Sequence, residues 1–385
     1  MTSEINSSNE PALNARGEAG SAFCTIVAVN YIAHARSLCE SLRQLHPGVA
    51  RYVLFIDGFR DVLNPGGEPF EAIALEQIGL PDPARLCFKY DVVELATAVK
   101  PQLLRFLFET HHFSKIVYLD PDILVLSALQ GIFDSLDAYN LILTPHIDTE
   151  FPDDGHRPDT AIPLTYGLFN LGFLALRKSP ECWRFLDWWG AKLEHNCTRD
   201  GSSVYYVDQK VMDLVPFLFK GVLIERGAGY NVAYWNIHSR WVRLENGQWR
   251  CNDVPLYFFH FSAFDPEHPQ SLSKETTRPL QESNRDVPKL LDLYRELLLK
   301  NGYETAHRRP YGHGKFPTGE DICYRTRSFY RVSPKVQDEE TNPFDSKRLM
   351  SRNRSERFLQ KNPKVNTIIT LSRQIYGILR RRFPV

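Results

Sequence analysis

The sequence predicts an α/β fold around a mixed central sheet rich in parallel strands, and three observations predict it. Phe23-Cys24-Thr25-Ile26-Val27-Ala28-Val29 is an unbroken apolar run, the pattern of a strand buried on both faces. Leu38, Leu42 and Leu45 follow at helical spacing until Pro47-Gly48 closes the helix. The alternation then repeats: a buried strand at Tyr52 to Ile56, a helix opened by Lys100-Pro101 with Leu104, Leu107 and Phe108 on one face, and a strand at Ile116 to Leu119. In such sheets ligands sit beyond the carboxyl ends of the strands. That rule directs attention to Asn30-Tyr31 after the first strand, Asp57 after the second, and Asp120-Pro121-Asp122 after the third.

Further along, apolar runs predict strands near 140–144, 171–176 and 256–261, with helices near 180–193 and 287–299. The helix at 180–193 carries Trp183, Trp188 and Trp189, expected as core or interface rather than a sugar platform. Residues 1–20 are too polar and small to offset the entropy of ordering and are expected to be a disordered leader. The main domain is expected over 21–300, in halves 21–135 and 136–300. Residues 301–385, where Pro, Gly and charge dominate, are expected to form a wrapping extension. Its end combines an amphipathic helix over 365–379 with Arg380-Arg381-Arg382.

Lys plus Arg and Asp plus Glu both number 46, so no whole-molecule field draws the chain to nucleic acid. Seven cysteines with no metal or redox spacing point to reduced thiols and a cytoplasmic setting. The first residues lack the pattern of a signal peptide, and no apolar stretch approaches the roughly 18 residues of a spanning helix. The basic tail points to peripheral contact with the inner membrane face.

Asp120-Pro121-Asp122 offers two carboxylates at a strand end, able to share one divalent ion; hard oxygen ligands suit magnesium or manganese. An Asp-Pro turn with solvated carboxylates is the plain alternative. His111-His112 lacks metal partners and is expected to be a solvated helix end. His260, in Tyr257-Phe258-Phe259-His260-Phe261, is either a hydrogen-bonded core histidine or a ligand.

The order Lys100, helix, strand, Asp120-Pro121-Asp122, then Phe169-Asn170-Leu171-Gly172-Phe173, Asp208-Gln209, Tyr230-Asn231 and His260-Phe261-Ser262 resembles the glycosyltransferase family 8 group of GT-A fold enzymes, over about residues 22–265. The resemblance implies a GT-A domain with a nucleotide-binding first half and a sugar and acceptor second half, extended by C-terminal helices. It implies a transferase that moves a sugar from a nucleotide-sugar, a UDP-sugar, to a glycan, lipid-linked or protein acceptor, with retention, in cell-surface polysaccharide synthesis. It implies Mn2+ (or Mg2+) held by Asp120, Asp122 and His260. Donor contacts are implied at Ala28, Asn30, Tyr31, Asp57, Lys100, Asn170 and Gly172, and reaction-centre roles at Asp208, Gln209 and Asp148. Asp208 is either a nucleophile or a helix N-cap, and Gln209, an amide, is a poor nucleophile, which favours front-face attack. The chain departs from the family after the histidine: Ala263-Phe264-Asp265-Pro266 stands where the family often has Gly and then Lys-Pro-Trp, so the phosphate-binding Lys is unassigned and Lys274 is a weak substitute. A nucleotidylyltransferase would want a Gly-rich basic loop after the first strand, which Asn30 to Arg36 lacks; a non-catalytic sugar-binding or partner-binding protein of the same fold is the other alternative.

Overall fold

The computed structural model describes residues 20–199 and 204–363. The expected leader, except for its last residue, and the expected helix over 365–379 lie outside the described residues.

Seven consecutive apolar or small side chains make β1 (Ser21–Val27), and all are buried, because parallel strands flank it on both edges. The chain then turns through Val29–Tyr31 into α1 (Ile32–Leu45), whose buried face carries Leu38, Cys39 and Leu42. Next come β2 (Ala50–Phe55) and β3 (Glu71–Ala74), each parallel to its neighbour. Helix α2 (Lys100–Thr110), with Pro101 in its first turn, leads into β4 (Lys115–Leu119), which pairs parallel with β1. A turn then leads to the short strand β5 (Ile123–Val125).

Strands β6 (Leu141–Pro145), β7 (Phe169–Arg177) and β8 (Val222–Ile224), with helix α3 (Pro180–Asn196) after β7, complete the main sheet. Its order is β3-β2-β1-β4-β7-β6-β8. Strand β7 alone runs antiparallel to its neighbours, and β8 returns parallel to β6, so the sheet is mixed. Between β6 and β7 the register slips: Leu143 opposes Leu174, yet Pro145 opposes Phe169, where an even register would bring Gly172. The bulge leaves Asn170 and Gly172 without partners on β6, a device that re-aims side chains near functional sites.

Strands β9 (Val242–Glu245), β10 (Gln248–Cys251) and β11 (Val254–Pro255) form a separate antiparallel sheet. Then β12 (Phe258–His260) pairs antiparallel with β5, placing His260 opposite Ile123. Helix α4 (Val287–Lys300) packs its Leu290, Leu291, Tyr294 and Leu298 into a cluster with Phe259 and Phe261. Under the main sheet, Phe23, Leu38, Leu42, Val117, Leu119 and Phe173 share one core. Truncating a leucine such as Leu42 to Ala in such a core costs about 2–5 kcal/mol, because transfer and cavity terms add. Trp189 is fully buried, as expected of core.

Among the described residues two compact units are present: 20–80 with 94–311, and 81–93 with 312–363. The expected boundary at 300 therefore falls inside the first unit. The C-terminal helices that the resemblance implies are present among the described residues. From residue 312 the described chain is largely helical, with Tyr324–Arg331, Pro334–Glu339 and Lys347–Lys361. It builds its own core from Phe88, Phe316, Ile322, Tyr330, Val336 and Leu349. Within it the Arg327 guanidinium donates to the carbonyls of Cys87, Phe88 and Tyr90, satisfying the end of helix Pro83–Lys89. Among the described residues no helix is long and apolar enough to cross a membrane.

Candidate metal centre

Strand β4 ends at Leu119, and Asp120-Pro121-Asp122 closes a turn in which the Ile123 N–H donates to the Asp120 carbonyl at 3.1 Å. The turn is therefore real, and it is also what presents both carboxylates. Backbone bonds from Asp120 N to Gly172 O, 2.7 Å, and from Phe261 N to Asp122 O, 2.9 Å, pin it between β7 and β12. Pairing of β5 with β12 then brings the His260 ring over it. His260 Nε2 lies 3.1 Å from Asp122 Oδ1 and 4.0 Å from Asp120 Oδ2. One ligand atom from each of Asp120, Asp122 and His260 can be chosen so that all lie within 4.8 Å of one another. Two hard oxygens and one imidazole nitrogen in that space fit a divalent cation, with the nitrogen favouring manganese over magnesium.

Charges in the site are strongly coupled. Burial opposes ionisation of Asp122, yet the charge of His260 and a hydrogen bond from it hold the carboxyl below the usual range. Burial likewise disfavours a charged His260, and Asp122 and Asp120 overcome it, raising the ring above its ordinary value.

Lys100 is buried at the start of α2 rather than exposed. Its Nζ donates to the Leu171 carbonyl at 2.9 Å and lies 2.8 Å from Asp208 Oδ2 and 3.5 Å from Asp120 Oδ1, above the Tyr118 ring. This ammonium is an internal counter-charge between two aspartates. Asp208 is equally buried, its carboxyl raised by burial although Lys100 pulls it down. The left-handed backbone of Tyr206 (φ 39°) and Val207 (φ 48°) precedes it, uncommon for these residue types and found where packing over-determines the chain. An exposed helix cap is thereby ruled out for Asp208, since its side chain faces Lys100.

Asn170 and Gln209 meet: Asn170 Nδ2 donates to Gln209 Oε1 at 3.3 Å, and Gln209 Nε2 donates to the Tyr166 carbonyl at 2.8 Å. Asn170 Oδ1 accepts from Gly172 N and Asn231 Nδ2, both at 3.1 Å, so the amide expected to meet sugar hydroxyls is engaged within the protein. At Gly172 a Cβ would come 2.3 Å from His260 Cε1, so this glycine makes room for the histidine ring.

At the mouth of β1, Ala28 is buried and Asp57 Oδ1 accepts from Val29 N at 2.8 Å. Tyr31 is 43% exposed and stacks on His34 with ring centroids 4.2 Å apart. Its phenol is raised by burial and by the charge of Asp122 and Asp120. Asn30 Oδ1 is buried with no hydrogen-bond partner among the described residues. Asp148, after β6, pairs with Arg240 at 3.3 Å and lines a groove of about 560 Å³ with Glu150, Leu164, Leu168, Phe217 and Arg226. Lys274 is exposed and pairs with Asp265 at 2.9 Å. Arg105 pairs with Glu109 and Asp187 on the surface. His111 rests against Tyr52 and Phe113 rather than in water; His112 is exposed.

Two side chains that hold the centre had no role assigned from the sequence, although Asn231 stands in one of its motifs. Tyr118 donates its hydroxyl to Asp120 Oδ1 at 2.7 Å, and Asn231 Oδ1 lies 3.2 Å from His260 Nδ1. Asn231 sits in the left-handed region (φ 50°), a backbone signal that sequence shows only as an Asn after a Tyr.

No family model matches the chain. The uncharacterized protein YfnD of Bacillus subtilis (strain 168) is 28% identical over 254 residues, which is 63% of this chain and 77% of that protein. Among solved structures, the galactosyltransferase LgtC in complex with donor and acceptor sugar analogs is similar over 72% of this chain and 95% of its own, at 16% identity and a TM-score of 0.44. The glycosyltransferase GlyE of Streptococcus pneumoniae TIGR4 is similar over 77% of this chain and 66% of its own, at 15% identity and a TM-score of 0.43.

Proposed function

We propose that this protein is a metal-dependent glycosyltransferase that moves a sugar from a UDP-sugar to a carbohydrate or glycolipid acceptor with retention. The observation that carries the reading is the convergence of Asp120, Asp122 and His260 at the carboxyl end of β4. A divalent cation held there, manganese by preference, would stabilise the charge that develops on a departing nucleoside diphosphate.

The chain's own residues account for the remaining requirements. Tyr31 offers an exposed ring face for a base, and Asn30 Oδ1, unpartnered among the described residues, can accept a hydrogen bond from a base edge. Asp57 ties the mouth of β1 down through Val29. Lys100 neutralises Asp120 and Asp208 from beneath, so the carboxylates can face a cation without an uncompensated buried charge.

Front-face attack is favoured over a covalent intermediate. The carboxylate of Asp208 is taken up by Lys100, and the Gln209 amide by Asn170 and Tyr166. In this scheme the acceptor hydroxyl oxygen forms the new bond to the anomeric carbon. The bond from that carbon to phosphate breaks, its electron pair leaves with the diphosphate, and the diphosphate takes the acceptor proton. The groove beside Asp148 is our candidate for the acceptor, its apolar walls at Leu164, Leu168 and Phe217 suiting an acceptor with an apolar part. A basic tail on anionic lipid belongs to the same proposal; truncating residues 364–385 is expected to release the protein from anionic liposomes, and unchanged binding refutes that part.

A panel of nucleotide-sugars assayed with manganese tests the reading. Manganese-dependent release of UDP from one donor is expected. Absence of turnover of every donor leaves a non-catalytic binding protein.

A further inference from the structure

We propose that Asn231 is a positioning residue that locks His260 with a proton on Nδ1 and so reserves Nε2 for the cation side. The inference rests on the metal reading of His260 and concerns how the protein prepares that ligand before any cation arrives.

The argument runs through groups whose polarity is not a choice. The Gly172 N–H can only donate, and Asn170 Oδ1 lies 3.1 Å from it, so the oxygen of that amide faces Gly172. Its Nδ2 then faces Gln209 Oε1 at 3.3 Å and His146 Nε2 at 3.4 Å. Both ends agree. The Tyr166 carbonyl can only accept, which assigns Gln209 Nε2 to it and leaves Gln209 Oε1 as acceptor. The Gly167 carbonyl can only accept from His146 Nδ1, 2.8 Å away, which leaves His146 Nε2 as acceptor. Three backbone groups thus orient Asn170 independently.

Asn170 Oδ1 next decides Asn231. The Asn231 atom 3.1 Å from it is the amide nitrogen, which also donates to Thr144 Oγ1 at 2.8 Å. Asn231 Oδ1 is left facing His260 Nδ1 at 3.2 Å, and an oxygen there demands a ring N–H. Asn231, Thr144, Asn170 and His146 are all buried, so water cannot substitute for a lost link. The left-handed backbone at Asn231 aims the amide, and the empty side of Gly172 admits the ring. Metal-binding histidines are commonly oriented this way by an acceptor on the far nitrogen, and losing that acceptor typically costs ~10–100-fold in metal affinity. His146 and Asn170 act here only through Asn231.

The test uses the full chain and two readouts. Nitrogen-15 NMR of the histidine rings in metal-free protein at alkaline pH reports the tautomer, and electron paramagnetic resonance of free Mn2+ reports affinity. Two variants are compared, Asn231→Gly, which removes the acceptor and tolerates the backbone, and Asn231→Asp, which keeps an oxygen toward Nδ1. Wild type is expected to carry the His260 proton on Nδ1, Asn231→Gly to lose that preference and bind Mn2+ at least tenfold more weakly, and Asn231→Asp to keep the tautomer. An Nε2–H tautomer in wild type, or an Asn231→Gly protein with the wild-type tautomer and affinity, overturns the proposal. A wild type that holds the Nδ1–H tautomer yet binds no Mn2+ sinks the metal reading instead and leaves the tautomer lock standing.

Discussion

Lys100 and Asp208 form an ion pair with Nζ 2.8 Å from Oδ2 and both side chains 3% exposed. Breaking such a pair from one side leaves a buried charge without a partner, at a cost of about 3–5 kcal/mol. Lys100→Met is therefore expected to lower the free energy of urea unfolding by that amount, and a Lys100→Met, Asp208→Asn double variant to recover a substantial part of it. Additive losses in the double variant would show that the two side chains do not act as a pair.

Asp120→Asn and Asp122→Asn each remove a hard anionic ligand, and chelation by EDTA removes the cation itself. All three are expected to reduce manganese-stimulated UDP release by about a hundredfold or more, given that metal-bound charge stabilisation is worth several kcal/mol. Calorimetric titration with Mn2+ should show the same two variants losing binding while keeping the wild-type melting profile to within a few degrees.

Gly172→Ala sets a methyl group 2.3 Å from His260 Cε1. The ring cannot retreat easily, because Asn231 holds its Nδ1 and the Trp235 ring packs edge-on against it at 5.1 Å. Overpacking of this kind costs ~1–3 kcal/mol. The expected result is a loss of stability of that size in urea together with weaker Mn2+ binding; an unperturbed protein would mean that the ring does not occupy the space beside Gly172.

Burial lowers both His34 and His146 to about 4 from an ordinary 6.5. Above the ordinary value the rings are neutral in folded and unfolded chains alike, and stability is undiminished. As pH falls from about 6.5 toward 4, only the unfolded chain takes up these protons, so stability drops. At about pH 5 the loss comes to roughly 2 kcal/mol per histidine. Unfolding free energies measured near pH 7 and pH 5 should differ less in His34→Gln than in wild type, by about that amount; an unchanged difference would mean that His34 titrates in the folded protein.

Much of the first half was legible because its signals are local. The apolar run at β1, the Lys100-Pro101 helix start and the Asp-Pro-Asp turn each depend on neighbours within a few residues. The pairing of Lys100 with Asp208 was not legible, because no local signal states that Asp208 will face it. Gly172 was legible as a position of close approach, but not what approaches it. C-terminal helices were implied by the resemblance, but not their places, since buried positions such as Tyr330 and Leu349 pack on Phe88, far away in sequence.

By itself the sequence determined which segments are buried strands, that they alternate with helices, and that two carboxylates close a turn at a strand end. Periodicity and turn chemistry are short-range properties, written residue by residue. Only the tertiary structure decided that His260 lies over that turn, which face of its ring is free, and which charges cancel below it. Those follow from β5 meeting β12 and from the bulge in β7, pairings between distant segments whose register no local pattern encodes.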